Sequence, residues 1–233
     1  MDTRQVVLVD AFAAEPTGGV PVGVVPDGED LTDDQLRAVA SELDAATAAL
    51  STETAGEIRV CGPSGPLDQH LQATVGAFAL GVERGWLEPG THTPTAGSGS
   101  QTVSVGEDGR TWVAVEDPRP ETVDVDYATV ASALGLDVAS LRDVGADLPP
   151  VRLSVGVDAL AVPVNFLEHL GNVTPAPGAL ADLTQGVGVE AICAFTFDTL
   201  AADAACHART LVPPGAGRGA ATGSLSLARA SGL

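Results

Sequence analysis

The chain contains no lysine; all 11 of its basic residues are arginine, against 31 acids, for a formal net charge of −20. So little positive charge excludes nucleic acid and anionic membrane as partners, since both are held by basic surface. Cysteine is almost as scarce. Cys61, Cys193 and Cys206 form no disulfide framework and no Cys-x-x-Cys metal pair, and they read as small core residues. Aromatic residues make up only 3% of the 233 residues, so any core must be built from Val, Leu and Ala. No apolar run is long enough to span a bilayer. The opening MDTRQVVLVDAF lacks the basic-then-apolar pattern of a secretory signal. These absences point to a cytoplasmic protein.

What is present fits that reading. Apolar residues make up 45% of the chain, enough for real cores. The acids are dispersed and not gathered into a tail, which marks a solvated globular surface. A net charge this large is self-repulsive unless screened by salt, so the chain reads as salt-adapted, of the haloarchaeal type.

Short β-branched runs at 4–12, VGVV and EIRVCG predict strands. LTDDQLRAVASEL predicts a helix, with Thr32 and Gln35 at capping-box spacing and Leu36, Val39, Ala40 and Leu43 as its apolar stripe. Residues 71–84 are apolar on most of a helix surface, which predicts a helix buried on all sides, with Gly85 at its C-terminal end. QTVSVG and RTWVAVE predict two strands joined at EDGR. The acidic, proline-bearing segment 116–126 reads as a linker. In the second half, YATVASALGL predicts a helix and ALAVPV, AICAFTF and HARTLVP predict strands. QATVGAFAL (72–80) and AATGSLSLA (220–228) each place Ala-Thr at the mouth of an apolar helix, which suggests two similar halves.

Four segments together resemble the phenazine-biosynthesis isomerase-like (PhzF-like) family: LVDAFAAEPTGGVPVGVV, QATVGAF, DAACHARTLVP and AATGSLSLA, in that order. The resemblance covers nearly the whole chain. It implies the diaminopimelate-epimerase fold: α+β, two pseudo-symmetric halves, each a curled, mostly antiparallel sheet around a central helix. The halves are expected at 1–117 and 118–233. The second is expected to be C-terminally shortened, because only a dozen residues remain from Thr222 onward. The resemblance further implies chemistry without a cofactor. A glutamate moves a proton on a small carboxylated substrate lying between the domains, helped by a Gly-His pair and an Asp. Homodimers are expected, or pairing with an active paralogue.

The departures from the family pattern matter most. The segment AATAA (45–49) puts Ala46 at the position of the catalytic glutamate. LQAT puts Leu71 and Gln72 at the Gly-His pair, GAATGS puts Gly219 at the aspartate, and Val20 stands at the opening asparagine. Ala, Gly and Val cannot transfer a proton, and an amide does not titrate in the useful range. Retained are Ala73, Thr74, Thr222, Gly223 and Ser224, which with Gln72 form the expected substrate-binding set. They lie at helix starts, where N–H groups favour an anion. The sequence thus predicts a weak or inactive isomerase relative; the alternative is a non-catalytic carboxylate-binding or partner subunit. Asp44 and His70 are the candidates for a substitute base. Asp44, like Glu42, reads more simply as a solvated helix-end charge, and His70 as a surface or capping residue. His207 and Arg209 read as structural, and His92 and His169 as surface residues. No metal-ligand set is present. GAGRGA (215–220) has dinucleotide-loop spacing but lacks the acid about 20 residues on that would confirm it.

Overall fold

The structure is a computed structural model and describes residues 4–13, 19–52, 57–67, 70–96, 99–114, 120–144, 148–154, 158–200, 202 and 204–213. The chain divides into two compact units, Met1–Val115 and Glu116–Leu233.

The first unit opens with strands β1 (Val7–Ala11) and β2 (Val20–Pro26), paired antiparallel. Helix α1 (Asp33–Leu43) then crosses to β3 (Ala46–Leu50), which lies parallel to β2. Strands β4 (Ile58–Gly62) and β5 (Gly65–Leu67) complete a five-stranded sheet in chain order. The predicted capping box starts α1. The Thr32 N–H donates to Gln35 Oε1 at 2.9 Å, and the Gln35 N–H donates to Thr32 Oγ1 at 3.3 Å. Asp33 and Asp34 favour the positive end of the helix dipole. Asp44, left-handed at φ 50°, ends the helix. Leu36 and Ala40 bury the apolar stripe, Leu36 against Val25, Ala49 and Cys61 on the outer face of the sheet.

The inner face of the sheet holds helix α2 (Leu71–Glu83), followed by β6 (Gly90–His92), the two-residue strands β7 (Thr95–Ala96) and β8 (Gly99–Ser100), β9 (Val103–Val105) and β10 (Thr111–Val113). Strands β10, β9 and β6 form a second sheet. Val22, Val24, Ala48, Leu50, Ile58 and Val60 of the first sheet and Val103 and Val105 of the second share one core with Ala73, Ala77, Phe78 and Leu80 of α2. The helix is therefore clasped between two sheets, close to what its all-round apolar sequence predicts, with the stripe of Leu71, Val75, Ala79 and Val82 half-buried. It ends in a Schellman motif. The Gly85 N–H donates to the Val82 carbonyl, the Trp86 N–H donates to the Gly81 carbonyl, and Gly85 takes the left-handed φ of +69° that the motif requires.

The second unit is a five-stranded sheet in the order β11 (Glu121–Thr122), β12 (Val151–Ser154), β13 (Asp158–Pro163), β14 (Ala191–Thr196) and β15 (His207–Leu211). Helix α3 (Tyr127–Leu134) and a 3-10 turn precede β12, and α4 (Leu167–Gly171) and α5 (Pro177–Val187) form the crossover between parallel β13 and β14. Val130 and Leu134 of α3, Leu170 of α4 and Leu180 and Leu183 of α5 pack on Leu160, Val162 and Ile192. Glu121 and Thr122, read from sequence as linker, instead add an edge strand to this sheet by pairing with Arg152 and Val151.

The two large sheets share a plan. In each, an antiparallel hairpin leads through a helical crossover to a parallel neighbour, and an antiparallel strand returns: β1–β2–β3–β4 and β12–β13–β14–β15. The α+β class and its two-part plan are as the sequence predicts. The expected central helix of the second half, near Thr222, lies outside the described residues.

Candidate functional site

Gly76 shows how α2 lies on the first sheet. A Cβ added there would stand 2.6 Å from Val22 Cγ2, 3.8 Å from Val9 Cγ1 and 3.9 Å from Ala11 Cβ. Farther along the helix, a Cβ on Gly81 would stand 3.3 Å from Leu50 Cδ2. Val22 pairs with Ala46 near the start of β3, and Leu50 ends β3 opposite Pro26. So α2 runs in the same sense as β2 and β3, and its first turn lies at the end where both strands begin. Gln72 precedes Gly76 by one helical turn on the same face, nearer still to that end. Ala46, Val22 and Val9 are cross-strand neighbours, and Val20 pairs with Ala11. Strand alternation turns all of these toward α2. Val20, Ala46 and Gln72, distant in sequence, thus meet at one end of one helix–sheet seam.

The chemistry at this end is subdued. Val20 and Ala46 are half-buried and apolar. Gln72 is 1% exposed and carries only a neutral amide. His70 is the N-cap of α2; its Nδ1 accepts the Ala73 N–H at 3.2 Å, and its carbonyl accepts the Thr74 N–H at 3.0 Å. Burial lowers its pKa to about 4, against a smaller opposing effect of its backbone hydrogen bond. An imidazole whose Nδ1 accepts from the backbone is neutral and carries its proton on Nε2. His70 is therefore capping, as one reading of the sequence had it, but it is buried and not on the surface. Asp44 and Glu42 are exposed at the end of α1, and Asp44 serves as its C-cap.

The family assignment follows from comparison with known proteins. A model of the phenazine biosynthesis-like protein family (PhzC-PhzF) matches residues 9–230. This chain belongs to that family. The "uncharacterized isomerase YfhB" of Bacillus subtilis is 29% identical over 228 residues, covering 93% of this chain and 75% of that protein. The crystal structure of a Bacillus anthracis phenazine biosynthesis protein of the PhzF family matches with a TM-score of 0.82 at 24% identity, over 93% of this chain and 74% of that one. A Clostridium difficile protein described as a PhzC/PhzF protein matches with a TM-score of 0.66 at 16% identity, over 92% of this chain and 76% of that one. These structures show the fold that the chain shares with PhzF proteins.

Within this PhzF-like fold, the other sequence candidates fall as follows. Ala73 and Thr74 are buried in the first turns of α2, at 0% and 1% exposure. Gly219, Thr222, Gly223 and Ser224 lie outside the described residues. Arg209 is structural: its Nη1 donates to the carbonyls of Leu170, Gly171 and Val173 at 3.0–3.2 Å and so closes the end of α4. The His207 Nε2 accepts the Leu200 N–H at 3.4 Å. His92 and His169, expected at the surface, are half-buried. The His92 ring lies 5.5 Å from the Phe78 ring, and His169 Nδ1 lies 2.7 Å from Asn165 Oδ1. Cys61 and Cys193 are core residues as expected, while Cys206 is only half-buried. Burial raises the Cys193 pKa to about 12 and raises that of Cys61 as well, so neither offers a thiolate near neutrality. The sequence reading did not single out Gln101, which is 8% exposed beside α2. Its only sequence signal is its alternation with Val103 and Val105.

Proposed function

We propose that this member of the PhzF-like isomerase family has lost most or all of the proton-shift chemistry that the resemblance implies, and that the first turn of α2 remains as part of a seat for a small carboxylated molecule. One observation carries the reading. The three residues that the resemblance assigns to the family's polar site and that lie at the start of the α2 seam are Val20, Ala46 and Gln72, and none of them can exchange a proton near neutrality. The two substitute bases are poorly suited to replace them. His70 is held neutral, with its Nδ1 committed to the Ala73 N–H. Asp44 is exposed and turned into a left-handed helix cap. A positioned acid or base contributes roughly 10²–10⁴-fold to such a reaction, so its loss leaves turnover near background. The same reading gives a cytoplasmic, cofactor-independent protein that acts as a homodimer or beside an active paralogue.

A second reading, a purely binding subunit, is favoured by the retention of Ala73 and Thr74 at the helix start. The test is deuterium exchange from solvent into dihydroanthranilate-type and amino-acid-type carboxylates in high salt. The expected result is exchange at background. Ala46→Glu alone should stay inactive, because residues that act as a unit do not add independently. Ala46→Glu combined with Leu71→Gly, Gln72→His and Gly219→Asp has the better prospect of activity. Ready exchange by the unmodified protein, abolished in Asp44→Asn or His70→Ala, would refute the proposal by showing a replacement base.

A further inference from the structure

Thr74 in α2 and Gln101, just before β9, each carry a buried polar atom with no hydrogen-bond partner among the described residues, Oγ1 and Oε1. Thr74 is 1% exposed and Gln101 8%. Strand register brings them to the same level along α2. After α2 ends, β6 runs back along the helix until the His92 ring meets Phe78 at 5.5 Å. His92 pairs with Val103 in antiparallel β9, so β9 runs in the sense of α2, and Gln101 lies beyond Val103 toward the start of the helix. The Gln101 N–H donates to the Pro94 carbonyl at 3.1 Å, which continues the same ladder. Alternation turns Gln101 to the face of Val103 and Val105, both in the core around α2. Two strand residues cover about 6.6 Å, and one helical turn covers about 5.4 Å. Thr74 is one turn before Phe78 on the same helix face. The hydroxyl and the amide therefore stand at the same level along the helix, without bonding each other.

We infer that Thr74 and Gln101 hold a single trapped water between them. The guest must be small, because both side chains are nine-tenths buried or more. It must be neutral, because both groups are neutral. It must also donate to the amide oxygen while bonding the hydroxyl, and buried waters of this kind complete polar groups that the chain leaves unmatched. With the amide turned the other way, its N–H₂ meets the same water as a donor. This site lies near the start of α2, and the inference does not depend on the functional proposal above.

The test combines a high-resolution crystal structure with a double-mutant cycle of Thr74→Val and Gln101→Met, read by chemical unfolding. The expected structure shows one ordered water within hydrogen-bonding distance of both side chains. Each single variant should raise the unfolding equilibrium constant by about tenfold, because it strands the other partner. The double variant should be little worse than either single one, because the water is lost only once. A stabilised or unchanged Thr74→Val, strictly additive effects, a direct Thr74–Gln101 bond, or density only for an added solute would each overturn the inference.

Discussion

Acid should weaken this protein through His70, and a single substitution should remove that weakness. His70 is 6% exposed, and burial lowers its pKa from 6.5 to about 4. In the unfolded chain the imidazole takes up a proton as pH falls through about 6.5, while the folded protein resists until about pH 4. The unfolded state therefore binds more protons across that window, so stability falls as pH falls, from full strength above about 6.5 to a floor below about 4. At about 1.4 kcal/mol per pH unit, the loss is roughly 3 kcal/mol. It is a large share of the roughly 5–15 kcal/mol that holds a typical domain together. Protonation would also turn Nδ1 from an acceptor into a donor facing the Ala73 N–H, so the charge and the lost cap act in the same direction. His70→Asn provides the control. Asparagine is a favoured N-cap that can still accept the Ala73 N–H, and it does not titrate. Urea unfolding of both proteins at pH 7, 6, 5 and 4, in constant high salt, gives the difference directly, since the carboxylates titrate alike in the two. The gap should shift by roughly 3 kcal/mol in favour of the variant from pH 7 to pH 4. Parallel pH profiles, or an NMR titration of His70 centred near its ordinary value, would refute the reasoning.

Three further outcomes are expected. Gly76→Ala should destabilise, although alanine ordinarily improves a helix by up to ~1 kcal/mol, because its methyl would meet Val22 Cγ2 at 2.6 Å and overpacking costs about 1–3 kcal/mol. Adding Val22→Ala should recover part of the loss, and a Gly76→Ala protein with a raised melting temperature would refute the contact. Arg59 Nη2 donates to the carbonyls of Gly28, Glu29 and Leu31 at 2.6–3.3 Å, and Nη1 pairs with Asp33 Oδ1 at 3.0 Å. Arg59→Lys keeps the charge but loses the fork, so unfolding should become easier by roughly 1–2 kcal/mol; an unchanged denaturation midpoint would show that these bonds hold nothing. Finally, the net charge of −20 predicts melting temperatures that rise as the screening length shrinks from about 10 Å at 0.1 M salt to about 3 Å at 1 M, and a flat or falling circular-dichroism series would contradict this.

Local features were the legible part of this fold. The capping box at Thr32 and Gln35 and the left-handed Gly85 are written within a few residues of chain, and the structure has both. The apolar run of α2 announced a helix with no solvent face, and two sheets cover most of it, leaving the stripe of Leu71, Val75, Ala79 and Val82 half-buried. Strand β3 was harder to read. ATAAL is poor in β-branched residues, and it is a strand because β2 and β4 hold it on either side. Helices α4 and α5 also escaped a local reading, since neither N-terminus has a side-chain cap and α4 spans only five residues. At the candidate site, motif resemblance picked out Val20, Ala46 and Gln72 one by one. That they meet at one end of a seam depends on a parallel pairing and a helix direction that no short stretch encodes. Gln101 was invisible for the same reason.

The closeness of α2 to the first sheet also bears on which side chains the seam can take in. The helix seats through Ala73, Gly76 and Ala77, with its backbone so near the strands that a single methyl at Gly76 would collide with Val22. Ala46 is packed against the same core. A long side chain placed at that position would have to displace packed neighbours before any benefit appeared. Such a substitution would then carry an immediate loss of stability, while any gain would wait on several positions changing together. A seam built this tightly acts as a ratchet: small residues are easily admitted, and long ones are taken in only at a cost.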